Sequence, residues 1–361
     1  MKYPFTFILF IHGLIHLMGF AKAYSYANIS QLTREISKPS GFFWLLATIL
    51  FITSAAMFFL KKDSWPMLAI AAVVISQVLI IMVWKDAKFG TIANVVILMI
   101  AILSWGSQHF EAQFKKDVET NLERTNRIST ELMAEADIQS LPQPVQKYLR
   151  YVGVLNKPKV KNIKIVFDGE MRDKGKDWFK FRSVQYNFFD DPTRLFFMKA
   201  KMFGVTVPGY HNYHAAAASM DIRLFGLFPI VQVKGAEMNK AETVTVFNDM
   251  CIIAPATLID KRIQWEGIDN TSAKATFTNG TNRISATLYF NELGQLVNFI
   301  SDDRYAVSDM KRHRFSTPMK DYKLFGGISI PSYGEAVWHY PDGEFVYGRF
   351  SLSSIEYNIS E

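Results

Sequence analysis

Four long apolar stretches crowd the first 105 residues of this chain, and nothing comparable occurs in the 256 that follow. Pro4–Ala21, Gly41–Leu60, Pro66–Trp84 and Phe89–Trp105 contain no Asp, Glu, Lys or Arg. A helix of about 20 apolar residues crosses a hydrocarbon core, so each stretch is long enough to span a bilayer. This pattern sets the expected organisation: a four-helix membrane module over 1–105, a charged helical stalk over 106–140 and a soluble domain over 141–361. Lys2 and Ala21-Lys22-Ala23 flank the first stretch as in a signal peptide. Its apolar run is longer than a usual signal core and holds two histidines, so four retained helices are expected.

The formal net charge of +7 is unevenly divided. Residues 1–105 hold eight Lys/Arg against three Asp/Glu, and the rest hold 32 against 30. The soluble part is thus nearly balanced, which excludes a nucleic-acid-binding role. Lysines and arginines flanking the spans fall five on each side, so the loop charges give no orientation. An even number of spans places the soluble domain on the side of the N-terminus. A bacterial inner membrane is the expected setting, with no cofactor.

His12 and His16 are the ionisable side chains inside the spans, four residues apart and so on one helical face. Ionisable groups at that depth suggest a relay or ligand site, but a neutral-histidine contact between close-packed helices explains them with less. Gly13 and Gly19 lie near that stripe, and Thr91 and Asn94 on the fourth span are candidate polar partners.

Beyond the spans, Gln108–Leu132 is strongly charged, then the segment Leu141–Gly153 shows a helical apolar face of Val145, Tyr148, Leu149 and Val152. Pro144 suits its first turn and Gly153 its end. After Pro158 the texture becomes strand-like, with alternation at Ile163, Ile165 and Phe167 and again from Ile284 to Phe290. Asn279-Gly280, Leu293-Gly294 and Pro341-Asp342-Gly343 read as turns. A helix over Lys240–Leu258, breaking at Pro255, interrupts the strands. The expected fold is α+β: about ten mainly antiparallel strands in a curved, half-barrel-like sheet with two or three helices.

The run Leu141-Pro-Gln-Pro-Val-Gln-Lys-Tyr-Leu-Arg-Tyr-Val-Gly153 is followed by Gly169-x-Met-Arg172, Trp178, Gly235-x-Glu237, Pro255, Trp265, Phe325-Gly-Gly-Ile-x-Ile-Pro331 and Trp338. In order and spacing, residues 140–357 resemble a family of uncharacterised bacterial domains, which implies no activity. In architecture the domain also resembles the open half-barrels of bacterial lipoprotein carriers, which implies a periplasmic location.

His211 and His214 would share a face on a helix but oppose each other on a strand, which Val205–Tyr213 suggests; no metal site is expected. Phe, Trp and Tyr make up 14% of the chain, and many fall in strand-like segments where some must leave the core. A hydrophobic pocket is therefore expected, with Trp178, Phe181, Tyr210, His211, His214, Trp265, Arg304 and Trp338 as its candidate ligand contacts. The functional expectation is a membrane-anchored β-rich domain that binds or shelters a membrane lipid or other apolar small molecule. An enzyme using His211, His214 and the Glu237–Asp249 region, or a membrane-tethered scaffold or sensor, are the alternatives. The lone Cys251, in an apolar run, reads as a core residue.

Overall fold

The computed structural model describes residues 2–202 and 204–360. The chain divides into two compact units: a helical one, Met1–Phe110 with Phe225–Leu227, and a β-rich one formed by the rest.

The helical unit contains α1 (Lys2–Ala23), α2 (Lys38–Phe59), α3 (Trp65–Met82), the single turn α4 (Trp84–Ala87) and the first part of α5 (Gly90–Asn126). Helices α1, α2, α3 and α5 are long and apolar enough to cross a membrane. Ser37 caps α2 by accepting from the Ser40 N–H, and prolines open both α2 and α3. Leu9, Phe51 and Ile97 interleave with Ala69, Ala72 and Ala101, all fully buried, so large residues meet small ones across the helix contacts.

In the β-rich unit the charged segment read as a stalk continues as helix to Asn126. There Phe114 stacks on Phe197 at 5.3 Å, and Asp117 accepts from the Tyr210 hydroxyl at 2.7 Å. The turn α6 (Glu135–Ile138) and helix α7 (Gln143–Val152) follow. Val145, Tyr148, Leu149 and Val152 are buried as their spacing requires, and Gly153 ends α7 with φ 76°.

Among the described residues thirteen strands form one sheet: β1 (Asn162–Met171), β2 (Phe179–Phe188), β3 (Thr193–Met202), β4 (Val205–His214), β5 (Ala217–Leu224), β6 (Phe228–Lys234), β7 (Ile263–Gly267), β8 (Ser272–Asn279), β9 (Asn282–Phe290), β10 (Leu296–Ala306), β11 (Lys311–Phe325), β12 (Ile328–Tyr340) and β13 (Gly343–Tyr357). Their order is β6-β5-β4-β3-β2-β1-β13-β12-β11-β10-β9-β8-β7, every ladder antiparallel. Helix α8 (Ala236–Ile252) interrupts the strands and gives way to a short 3₁₀ helix at Pro255–Ile259.

The sheet is a curled half-barrel because α8 lies in its hollow. The helix touches β4, β5 and β6 on one flank and β9 and β10 on the other, strands far apart in the ladder order. Only a bent sheet brings both flanks to one helix. The two flanks also meet directly: Asn279 donates to the Tyr213 hydroxyl at 2.8 Å, and Asn282 donates to the Ala216 carbonyl at 2.7 Å. Such enclosure requires apolar residues nearly all round α8, and Met238, Val244, Val246, Phe247, Met250 and Cys251 are all buried. Phe247 stacks on Phe277 of β8 at 5.3 Å, while Tyr148 of α7 donates to the Cys251 carbonyl.

Candidate functional site

Between α8 and the inner face of the sheet lies a cavity of about 550 Å³. Strand alternation builds its walls: Arg194, Phe196 and Met198 project inward from β3, while Leu195 and Phe197 project outward. Phe167, Met220, Ile222, Phe350 and Leu352 extend the apolar lining, and Ala241, Thr245 and Ile252 of α8 form its roof. Exposed Asp173, Lys174 and Ser308 lie at the strand-end turns that border it, so the cavity reaches solvent there. A second hollow of about 800 Å³ lies on the outer face, between Glu111–Asn126 and β2–β3. Its rim of Glu111, Lys115, Glu119, Arg182 and Lys199 is charged, around Phe114, Val118, Leu122, Val184 and Phe197.

One end of the inner cavity is a saturated polar network. Arg194, 7% exposed, donates from Nε to Asp249 at 2.9 Å, from Nη1 to Glu242 at 3.1 Å and from Nη2 to Gln185 at 3.0 Å. Gln185 and Asn187 of β2 donate to the same Asp249 oxygen at 2.7 and 3.0 Å. His211 Nδ1 lies 3.7 Å from the other oxygen of Glu242. Burial pushes the Glu242 pKa up, but the Arg194 charge and the His211 contact outweigh it and bring it down to about 2. At Asp249 burial prevails over Arg194 and its amide donors, and the pKa is raised.

The other end is aromatic and carries Arg304. Its guanidinium lies 4.0 Å from the centre of the Phe315 ring, 5.2 Å from Trp338 and 5.9 Å from Tyr347. Nη1 donates to the Tyr347 hydroxyl at 2.9 Å.

Of the residues proposed from sequence, His211, Arg304 and Trp338 line this cavity. Phe181 is one layer behind, packed on Phe350 at 5.3 Å. Trp178 lies outside the lining, between the guanidinium groups of Arg172 and Arg349 at 4.3 and 4.5 Å. Tyr210 projects to the outer face, because strand parity opposes it to His211, and meets Phe114 and Asp117. His214 likewise opposes His211 and contacts the Thr193 hydroxyl at 3.1 Å. Trp265 is tied to the Leu258 carbonyl in the core. Among the described residues no group of three His, Cys, Asp or Glu side chains converges as a metal site. Sequence reasoning missed Arg194, whose partners Glu242 and Asp249 lie 48 and 55 residues away.

In the helical unit, His12 Nε2 donates to Asn94 Oδ1 at 2.9 Å, and His16 Nδ1 donates to the His12 carbonyl at 2.7 Å. His16 Nε2 then accepts from Ser76 at 2.8 Å, while Asn94 donates to Ser76 and Gln77, each at 3.0 Å. The acceptor-only oxygens fix both tautomers, and every donor in this chain finds a partner with both rings neutral.

Among solved structures, a LolA superfamily protein from Nitrosomonas europaea is 9% identical, with 59% of this chain and 92% of its own covered at a TM-score of 0.35. So distant a likeness adds nothing to what the geometry of the sheet shows. No curated protein matches the chain significantly. The family of unknown function DUF6544 matches residues 131–350, and the chain belongs to that family.

Proposed function

We propose that the β-rich unit binds or shelters an apolar, lipid-like ligand in the cavity beneath α8, tethered to a bilayer by four membrane-spanning helices. The observation that carries this reading is the cavity itself. At about 550 Å³ it falls within the ~300–1,000 Å³ range of small-molecule sites, and the surface it presents is mostly apolar, with Phe, Met and Ile side chains between the polar groups of its ends and mouth. The two acids at its Arg194 end, Glu242 and Asp249, are committed to that arginine. Proximity to a membrane suits the ligand, because an apolar molecule leaves a bilayer at low cost only into another apolar enclosure.

Thr245→Trp tests this. Thr245 is half-buried, faces the cavity from α8, and its hydroxyl donates within its own helix to the Ala241 carbonyl. An indole there fills the space without breaking a tertiary contact. Full-length wild type and variant, purified in the same detergent, are compared by native mass spectrometry with lipid extraction. Lipids held on the apolar helices are common to both, so the expected result is one near-stoichiometric apolar species present in wild type and lost in Thr245→Trp. Identical adducts in the two proteins would sink the proposal.

A further inference from the structure

Arg172, Arg194 and Arg304 all line the cavity, and Arg194 and Arg304 differ in one respect that bears on the ligand's polar end. Arg194 has an acceptor for each nitrogen: Asp249, Glu242 and Gln185. Arg304 has one protein hydrogen bond, to Tyr347, and no carboxylate partner among the described residues. Its Nε is buried with no acceptor. Glu242 senses the Arg304 charge, yet its oxygens are taken by Arg194 and His211.

A guanidinium placed against apolar surface normally retains carboxylate or carbonyl acceptors, because losing water without them is costly. Here three aromatic faces supply partial compensation through cation–π contact. With Nη1 on Tyr347 and Nε buried, Nη2 is the nitrogen left for a ligand. The backbone puts the group there by a specific device. Phe299 and Ser301 are fully buried or nearly so, and strict alternation along β10 would bring Asp303 to the inner face. The register shifts between Ser301 and Arg304, so Arg304 and Ala306 line the cavity while Asp303 does not.

We infer that Arg304 is a headgroup-reading residue and that the ligand is an anionic amphiphile, with a carboxylate or phosphate on Arg304 and its hydrocarbon chain along the Phe/Met lining. A charged N–H donor at Nη2 suits either oxyanion. This inference rests on the lipid-binding reading and adds the sign of the head.

The test uses three photoreactive probes of equal chain length, a fatty acid, a lysophosphatidate and a fatty alcohol. Each is presented to the full-length protein in phosphatidylcholine nanodiscs. Labelling is quantified by mass spectrometry in peptides covering 236–252 and 298–319. In wild type the two anions are expected to label roughly ten- to a hundred-fold better than the alcohol, as a charged hydrogen bond provides. Arg304→Leu should abolish that preference and keep alcohol labelling, which also shows that the cavity is intact. Arg304→Lys should keep part of it. The ratio of acid to lysophosphatidate labelling reports which oxyanion fits. Equal labelling by all three probes in wild type, or an anion preference that survives Arg304→Leu, overturns the inference and leaves the lipid-binding reading standing. No labelling of these peptides by any probe overturns both.

Discussion

Arg194→Leu is expected to destabilise the β-rich unit by about 3–5 kcal/mol, the cost of removing one partner from a buried ion pair. Single domains have only about 5–15 kcal/mol in total, so the variant should unfold far below the wild-type temperature. The reason lies in what the change leaves behind. Glu242 and Asp249 are both buried within reach of the Arg194 side chain, which is their main counter-charge, with His211 3.7 Å from Glu242 as its other ionisable neighbour. Without Arg194 both carboxylates lose their counter-charge in a poorly solvated site. Arg194→Leu combined with Glu242→Gln and Asp249→Asn removes all three charges and should recover much of the loss. Thermal unfolding of the full-length proteins, followed by protease sensitivity of the β-rich unit, measures this. A triple variant no better than Arg194→Leu would show that packing of the arginine, not its charge, is what matters.

The pH dependence has a definite sign. In wild type the Glu242 pKa is lowered to about 2, so its contribution is present above the ordinary glutamate range and lost as pH falls toward 2. Asp249 acts oppositely: its pKa is raised, so its ionised form is the costly one and the cost fades on acidification. In Arg194→Leu the Asp249 pattern strengthens, while Glu242 loses the largest influence that lowers its pKa and keeps those of His211 and Arg304. That variant should therefore gain stability from pH 7 to about pH 5, where wild type gains less.

How much of this was legible in the sequence depends on whether a feature is local. The face of α7, the Asn279-Gly280 turn and the helix before Pro255 rest on short-range rules, and they stand where those rules put them. The count of about ten strands fell short of thirteen for two physical reasons. Ala215 and Ala216 make the β4–β5 hairpin with φ of 49° and 60°, a conformation that Asn-Gly adopts readily and alanine does not. A run of alanines therefore gave no turn signal, and β5 went unread. Strand β11 contains Pro318, which has no N–H; its ladder to β12 skips from Ser316↔Val337 to Met319↔Gly334. The cavity was legible only as surplus aromatic content. Which aromatics line it depends on strand parity, and the bulge in β10 alters parity midway. Arg194 looks like any strand cation until the fold brings α8 over it.

Gly19→Leu is expected to disrupt the helical unit, because no room exists for a side chain where α1 crosses α2. A Cβ built at Gly19 would lie 2.1 Å from Cδ2 of Trp44, well inside any real carbon–carbon contact. The obstacle is a rigid indole, 3% exposed and packed in a cluster with Leu32, Leu79 and Val83, so it cannot swing aside. Overpacking of this kind costs about 1–3 kcal/mol, and a ring as the obstacle places it at the upper end. The damage should spread, since Trp44 also lies against His16 at 5.3 Å and covers one side of the polar chain from His16 through Ser76 to Asn94. Ile15→Ala is the control on the same helix: Ile15 is 51% exposed within the unit and should matter little. Trp44→Ala added to Gly19→Leu opens the needed space, so the pair should be less destabilised than the two single changes summed. Unfolding of the full-length proteins by SDS titration, followed by circular dichroism, reads all four. If Gly19→Leu unfolds with wild type, or if the pair is simply additive, α1 does not rest on Trp44 through Gly19. If the single change collapses and the pair recovers, the small residue beside the histidine stripe is there to let the two helices close on the indole.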